Sequence, residues 1–359
     1  MDAGLAFQII STICDILGVS RWLIPRFWAR PQVLQRYVNN LGSSNEKTRK
    51  SAKEILVKAK EKSIPLLIDA LKDRENGIKR KEAADALKSI GSLSIEPMLV
   101  EWYKVFNEDN EVVDFLGSAL QEMRGANEIE NFISLLNNDD PRGVKYGAVV
   151  ILGRMQATEA IEALIKLMTN KNENWEIRRE ACLALGNVGA ARAIEGLKTV
   201  VKDNDCRLRQ AAIEALGTIG NIEAEEAVIP ALNDTEWNVI EAAVIALPKI
   251  SATGSKNKLV SLLKHNQRQV RKAAAETLGE FKDEMAIESL KNCLETEEDR
   301  QVGEAIAEAL KKINGDPGRQ AIGEAYMTLL KNGNHEMAEI VNSKYSELCQ
   351  SIQRGLFSV

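Results

Sequence analysis

Few residues of this chain are placed to do chemistry. There are two histidines, His265 and His335. His265 falls in a polar turn. His335 precedes Glu336, and one such pair cannot supply the ligand set of a di-iron centre. Cys14, Cys182, Cys206, Cys293 and Cys349 lie too far apart for a zinc or redox motif. Their odd number, with no leader-like stretch before them, predicts reduced thiols in a cytoplasmic protein. Neither histidine has the partners a nucleophilic serine would need. No GxGxxG or GxxxxGK[ST] phosphate cradle occurs. The expectation is a non-enzymatic chain with no cofactor and no metal.

Composition agrees with a helical, interaction-type protein. The chain of 359 residues is 45% hydrophobic but only 5% aromatic, so its core must be built from Ala, Leu, Ile and Val. Residues 1–90 carry 17 Lys/Arg against 10 Asp/Glu, so the acidic excess of the whole chain lies further on. A solvated helix face explains the basic end, and an anionic partner is the other reading. No apolar run is long enough to span a bilayer. The nearest, Leu5 to Ile24, is broken by Asp15 and Arg21. Its Leu5, Ile9, Ile13, Ile16 and Leu17 share one helical face. Two partners suit that face: the chain's own first repeat, as an end cap, and a membrane surface met by residues 5–30 through Trp22, Phe27 and Trp28 beside Arg21, Arg26 and Arg30.

The elements that would position any site repeat along the chain. The stretch "IRREACLALGNVG" at 177–189 returns as "LRQAAIEALGTIG" at 208–220. The pattern V-R-x-x-A-A-x-A-L-G starts nine times: at Thr48, Lys79, Val112, Val144, Ile177, Leu208, Val239, Val270 and Val302. Gly91, Gly189 and Gly220 end first helices where a left-handed residue is cheap. A second apolar stripe follows, as in "AIEGLKTVV" at 193–201, and polar turns such as "KDND" at 202–205 close each unit. Each unit is thus a helical hairpin of about 31 residues that hides its apolar stripe only by stacking.

This phrase, with arginine one place after the start at Arg49, Arg80, Arg178, Arg209 and Arg271, resembles HEAT repeats of the short kind found in phycobilisome-lyase-like proteins. The resemblance covers about residues 45–315. It implies an all-α solenoid with first helices on a concave face. Solenoids need atypical ends, so 1–44 and 316–359, where the repeat register is lost, are expected to be helical caps. The resemblance also implies that the arginines stitch layers by bonding acids and backbone groups of the turns. Val113, Ile240 and Gly303 replace that arginine, Lys145 substitutes for it, and Pro248 stands where glycine is usual. Irregular stacking is therefore expected around 112–145 and 239–250.

Counting from each start, positions 0, +4, +5, +7 and +8 are expected in the core. Positions −1, +2, +3, +6 and +10 are expected to face the groove, with −2 at its rim. The first two copies then present Lys47, Lys50, Lys58 and Lys81, with Glu54, Glu82 and Asp85. The middle copies present Phe115, Tyr146, Val150, Arg154, Arg179 and Leu183, with Trp175 and Trp237 at the rim. The last copies present Glu241, Glu276, Glu280, Glu304 and Glu308. Large apolar groups, Tyr and Arg on an outward face suggest a protein or peptide partner. The resemblance brings a second reading, a tetrapyrrole lyase or chaperone-like factor. Nucleic acid fits poorly, because a backbone-tracking groove needs continuous positive charge.

Overall fold

The computed structural model describes residues 31–106, 108–137, 142–313 and 316–356, and every regular element among them is a helix. The apolar face expected over 5–24 lies outside these residues. The chain forms two compact units, Met1–Leu167 and Met168–Val359.

In the first unit the helices are α1 (Pro31–Asn40), α2 (Glu46–Ala59), α3 (Ile64–Ala70), α4 (Gly77–Ile90), α5 (Ile95–Val105), α6 (Asn110–Gln121), α7 (Ala126–Asn137), α8 (Arg142–Met155) and α9 (Ile161–Thr169), in which the division falls. The second unit has α10 (Trp175–Val188), α11 (Ile194–Val200), α12 (Cys206–Ile219), α13 (Glu225–Ala231), α14 (Trp237–Lys249), α15 (Lys256–Leu262), α16 (Arg268–Glu280), α17 (Ile287–Thr296), α18 (Arg300–Lys312), α19 (Asp316–Lys331) and α20 (His335–Leu356). Turn acids and amides start the first helices as expected. Asn45, Asn76, Asp109, Asn174, Asp205 and Asp299 each accept a backbone N–H of the helix they precede.

The second unit is regular. Its first helices α10, α12, α14, α16 and α18 pack side by side in that order. In α12 the expected core positions Leu208, Ala212, Ile213, Ala215 and Leu216 are all buried, and the other four copies match. The glycine of the repeat serves helix contact. A Cβ on Gly186 would lie 2.9 Å from the Cα of Ala215, and one on Gly217 2.8 Å from the Cβ of Ala246. Backbone therefore rests on an alanine one repeat along. Position +3, expected in the groove, is instead buried in this layer at Ala211, Ala242, Ala273 and Ala305, because the helices approach so closely.

Pro248 does not disturb the layer. It has no N–H for the carbonyl of Val244, four residues back. Thr277 of α16 donates its hydroxyl to that carbonyl at 3.3 Å. The irregularity expected over 239–250 is absent, since α14 runs unbroken to Lys249 and packs on both neighbours. Gly303, which replaces the stitching arginine, makes room for α20: a Cβ there would run into the Met337 side chain.

The first unit breaks the pattern where the sequence lost it. Helix α5 packs directly on α8, two repeats along, while α6 and α8 touch sparsely. Gly143 and Gly147, one turn apart on α8, allow this. A Cβ on either would collide with Tyr103 or Leu99 of α5. Fully buried Trp102 fills the space between, and its Nε1 donates to the Val113 carbonyl at 3.1 Å.

Candidate functional site

The repeat arginines are anchored in turns. In the second unit Arg209 forks onto Asp234 at 2.8 and 2.7 Å and donates to the carbonyls of Asp203 and Asn204. Arg271 repeats this with Glu297 at 2.9 and 2.7 Å, and with the His265 and Asn266 carbonyls. Arg178 reaches Asp203 at 2.7 Å and the Met168 carbonyl at 2.8 Å. Burial pushes the Asp203 carboxyl up, but the Asp205 amide and the Arg178 guanidinium outweigh it, and the net shift is down. Asp234 is lowered in the same way, with Arg209 and the Glu236 amide overcoming burial. In the first unit Arg49 turns to Glu82 at 3.3 Å and to the Ser43 and Ser44 carbonyls. Arg80 bonds the Leu71 carbonyl at 2.9 Å and Glu111. These arginines are committed to structure.

What is left outward is clearest on α14. Trp237, Glu241 and Ile245 follow one another at four-residue spacing, so they share one helix face. Trp237 is 37% and Ile245 44% exposed. On the neighbouring helices Gln210 and Glu214 of α12, and Lys272 and Glu276 of α16, hold the equivalent +2 and +6 positions. Gln210 donates to Glu214 at 2.7 Å and accepts from Asn238 at 2.7 Å. Lys272 and Glu276 lie 3.9 Å apart. Burial, then the Glu214 charge, pushes the Glu241 carboxyl up; Glu276 adds to this and Lys272 opposes it.

The other predicted residues are spread between the units. Trp175, half-buried, lies under the Arg207 guanidinium, 3.5 Å from its ring centre, while Arg207 also forks onto Asp205. Arg179 pairs with Glu180 at 3.6 Å, and Leu183 is half-buried. In the first unit Phe115 lies 4.8 Å below the Arg80 guanidinium. Tyr146 is half-buried against α5, with ring centres 6.3 Å from Trp102, 5.9 Å from Tyr103 and 6.0 Å from Phe106. The groove position read for it is thus a helix contact, made because α5 occupies the space beside α8. Val150 is half-buried. Arg154 is exposed, its guanidinium close to where a Cβ on Gly117 would stand. Sequence reasoning passed over Ile245, although its +6 position marked it.

Residues with chemical potential serve packing. Cys182 is fully buried, and desolvation pushes its thiol up to about 12. The Nδ1 of His265 accepts the Gln267 N–H at 3.1 Å within its turn. Among the described residues no three His, Cys, Asp or Glu gather as a metal site, and no helix is long and apolar enough to cross a membrane.

A family model described as HEAT repeats matches residues 129–217, 194–271 and 225–311. No curated protein matches the chain. Among solved structures, Kap121p bound to Pho4p is similar at a TM-score of 0.52, with 16% identity over 90% of this chain and 41% of that one. This chain therefore spans less than half of Kap121p. The complex of CpcE and CpcF of phycocyanin lyase from Nostoc sp. PCC7120 gives a TM-score of 0.41 and 23% identity, over 62% of this chain and 94% of that one. An engineered protein gives 0.42 and 22%, over 89% and 98%. Such identities speak to fold alone. The family matches run together over just over half of the 359 residues and coincide with the stacked hairpins, so the chain belongs to the HEAT-repeat family and is an all-α solenoid.

Proposed function

We propose that this protein is a non-enzymatic scaffold that binds a protein partner on the outer face of its first helices, centred on α14. The observation that carries the reading is the line Trp237–Glu241–Ile245. Two large apolar side chains stand exposed there, in a helix layer whose other large apolar side chains are buried or, at Trp175 and Leu183, half-buried. Exposed Trp and aliphatic groups on a rigid face are what a partner buries with most gain. Leu183 and Arg179 on α10 extend the face. Phe115 and Tyr146 fall outside it, since Arg80 and α5 already cover them. In this reading α19 and α20 close the stack, with Met337 seated over Gly303. Kap121p, similar in fold, is solved bound to Pho4p, which supports the reading that such a fold can hold a protein.

The test is affinity capture with the tagged full chain. Trp237→Ala with Ile245→Ala should lose a partner that the wild type retains, at an unchanged melting temperature. Ile222→Ala with Met285→Ala, two exposed residues of the inter-helix turns, should keep it. Full retention by the first double variant, or equal loss by both, would refute the face.

A further inference from the structure

The α14 face carries a second feature, one that bears on what kind of partner fits. Ile245 is the exposed aliphatic group of the layer; Glu241 stands one turn before it on α14, and Glu214 of α12 and Glu276 of α16 hold its own +6 position on the two helices packed beside α14. The helices that carry them are packed side by side, with Asn238 of α14 donating to Gln210 of α12 at 2.7 Å, and the charges of Glu214 and Glu276 both disfavour the charged form of Glu241. Lys272 is the cation acting on that carboxyl, and it pairs at 3.9 Å with Glu276 on its own helix. The arginines nearby are spent elsewhere, Arg207 on Asp205 and Trp175 and Arg209 on Asp234, while exposed Lys249, one turn beyond Ile245, lies toward Gly217 of α12 and bounds the face at its far end. Glu241 makes no hydrogen bond or ion pair with another described residue.

Like charges gathered on packed helices destabilise the free chain, and a partner cation relieves that. The apolar centre narrows the choice. A purely aliphatic partner would cover Ile245 only by stripping water from the surrounding carboxylates, which is costly. An anionic partner is repelled. A side chain with an apolar stem and a cationic tip satisfies both parts.

We propose that the face of α12, α14 and α16 receives a lysine- or arginine-bearing segment of a protein partner, its methylene stem on Ile245 and its charge among Glu214, Glu241 and Glu276. This rests on the reading that the α14 face binds protein. It adds the chemistry of the occupant.

The probe is a fluorescein-labelled decapeptide of alternating lysine and alanine, titrated into the full chain and read by anisotropy. Its counterpart with glutamate for lysine should not bind. Glu214→Gln/Glu241→Gln/Glu276→Gln should weaken the lysine peptide about tenfold or more. The charge-matched triple Glu195→Gln/Glu223→Gln/Glu284→Gln, on exposed residues away from the first helices, should change affinity by less than about twofold. Ile245→Ser leaves the net charge alone and should still weaken binding about threefold to fivefold. Circular-dichroism melting confirms that each variant is folded. Equal losses in the two triples, or no effect of Ile245→Ser, would mean diffuse charge attraction and overturn the site. Absence of lysine-peptide binding would overturn it too. Partner capture that still depends on Trp237 would then leave the face standing without a cationic occupant.

Discussion

Helices α6 and α12 hold the same place in their repeats, yet only α12 has tight neighbours of its own kind on both sides. One position accounts for much of the difference. At +9 three of the five second-unit copies have Gly186, Gly217 and Gly279, each pressed on an alanine of the next first helix, and the other two have Pro248 and Lys311. The first three copies of the chain have Val57, Lys88 and Gln121 there, and glycine appears only from the fourth, at Gly153. Those side chains are larger than glycine, and two of them reach across to the next first helix. Lys88 pairs with Glu122, and Gln121 donates to the Arg154 carbonyl at 3.1 Å. Space opened this way admits α5 and Trp102. A glycine–alanine contact thus favours tight layering; at Pro248 the Thr277 hydroxyl keeps the layer together instead, and beside Gln121 a second helix takes over the packing.

The largest expected effect breaks that contact. Gly217→Leu should destabilise the protein by about 3 kcal/mol through overpacking against Ala246. Lys88→Ala in the first unit should cost less than about 0.5 kcal/mol. Urea denaturation midpoints of the two variants compare them.

The arginines sharpen the difference next. Arg209→Ala removes a fork onto Asp234 and two carbonyl bonds, and should cost about 2 kcal/mol. Arg49→Ala, whose carboxylate partner Glu82 is also bonded by Lys53 at 2.7 Å, should cost about 1 kcal/mol. Asp203 and Asp234 titrate below their usual value of 3.8. Depressed carboxyls contribute stability above the unfolded value, and that contribution is lost as pH falls through the folded one. The wild-type melting temperature should therefore drop from about pH 5 downward, and the drop should be shallower in Arg209→Ala.

Thr277→Val tests the repair at Pro248. It should cost about 1 to 2 kcal/mol by orphaning the Val244 carbonyl. In a Pro248→Ala background, where the introduced alanine restores a helical N–H to that carbonyl, the same change should cost much less. The smallest effect concerns the first-helix end. Gly189 and Gly220 lie at φ +70°, and Lys282 holds the matching place in the α16 repeat at φ 49°. Lys282→Gly should gain about 0.5 to 1 kcal/mol by relieving a left-handed lysine. Gly189→Ala should lose a similar amount. Thermal melting resolves both.

Much of this was legible in the sequence. The V-R-x-x-A-A-x-A-L-G phrase states the core positions, the helix end and the stitching arginine, because each is a local demand repeated in every unit. The loss of pattern over 112–145 correctly marked the break. Its form was not legible. Contact between Trp102 and Tyr146 spans 44 residues and two repeats, and a reading confined to single units assigns Tyr146 to an open face. Gly143 and Gly147, one turn apart, were the available signal. Pro248 misled for a related reason, since the hydroxyl that satisfies Val244 belongs to the following repeat. On the proposed face, helix geometry in the sequence placed Trp237 and Glu241 outward, and the structure leaves Trp237 exposed and Glu241 half-buried. Ile245 was missed because an isoleucine among buried alanines and valines looks like core unless its register is counted.

Residue-resolved native-state hydrogen exchange on the intact chain compares the two stackings most directly. Amides of α12 and α14 should exchange slowly and together, and those of α6 should open at a lower free energy. Equal protection of α6 and α12, or earlier opening of α12, would contradict the claim that the glycine–alanine contact holds the first helices together.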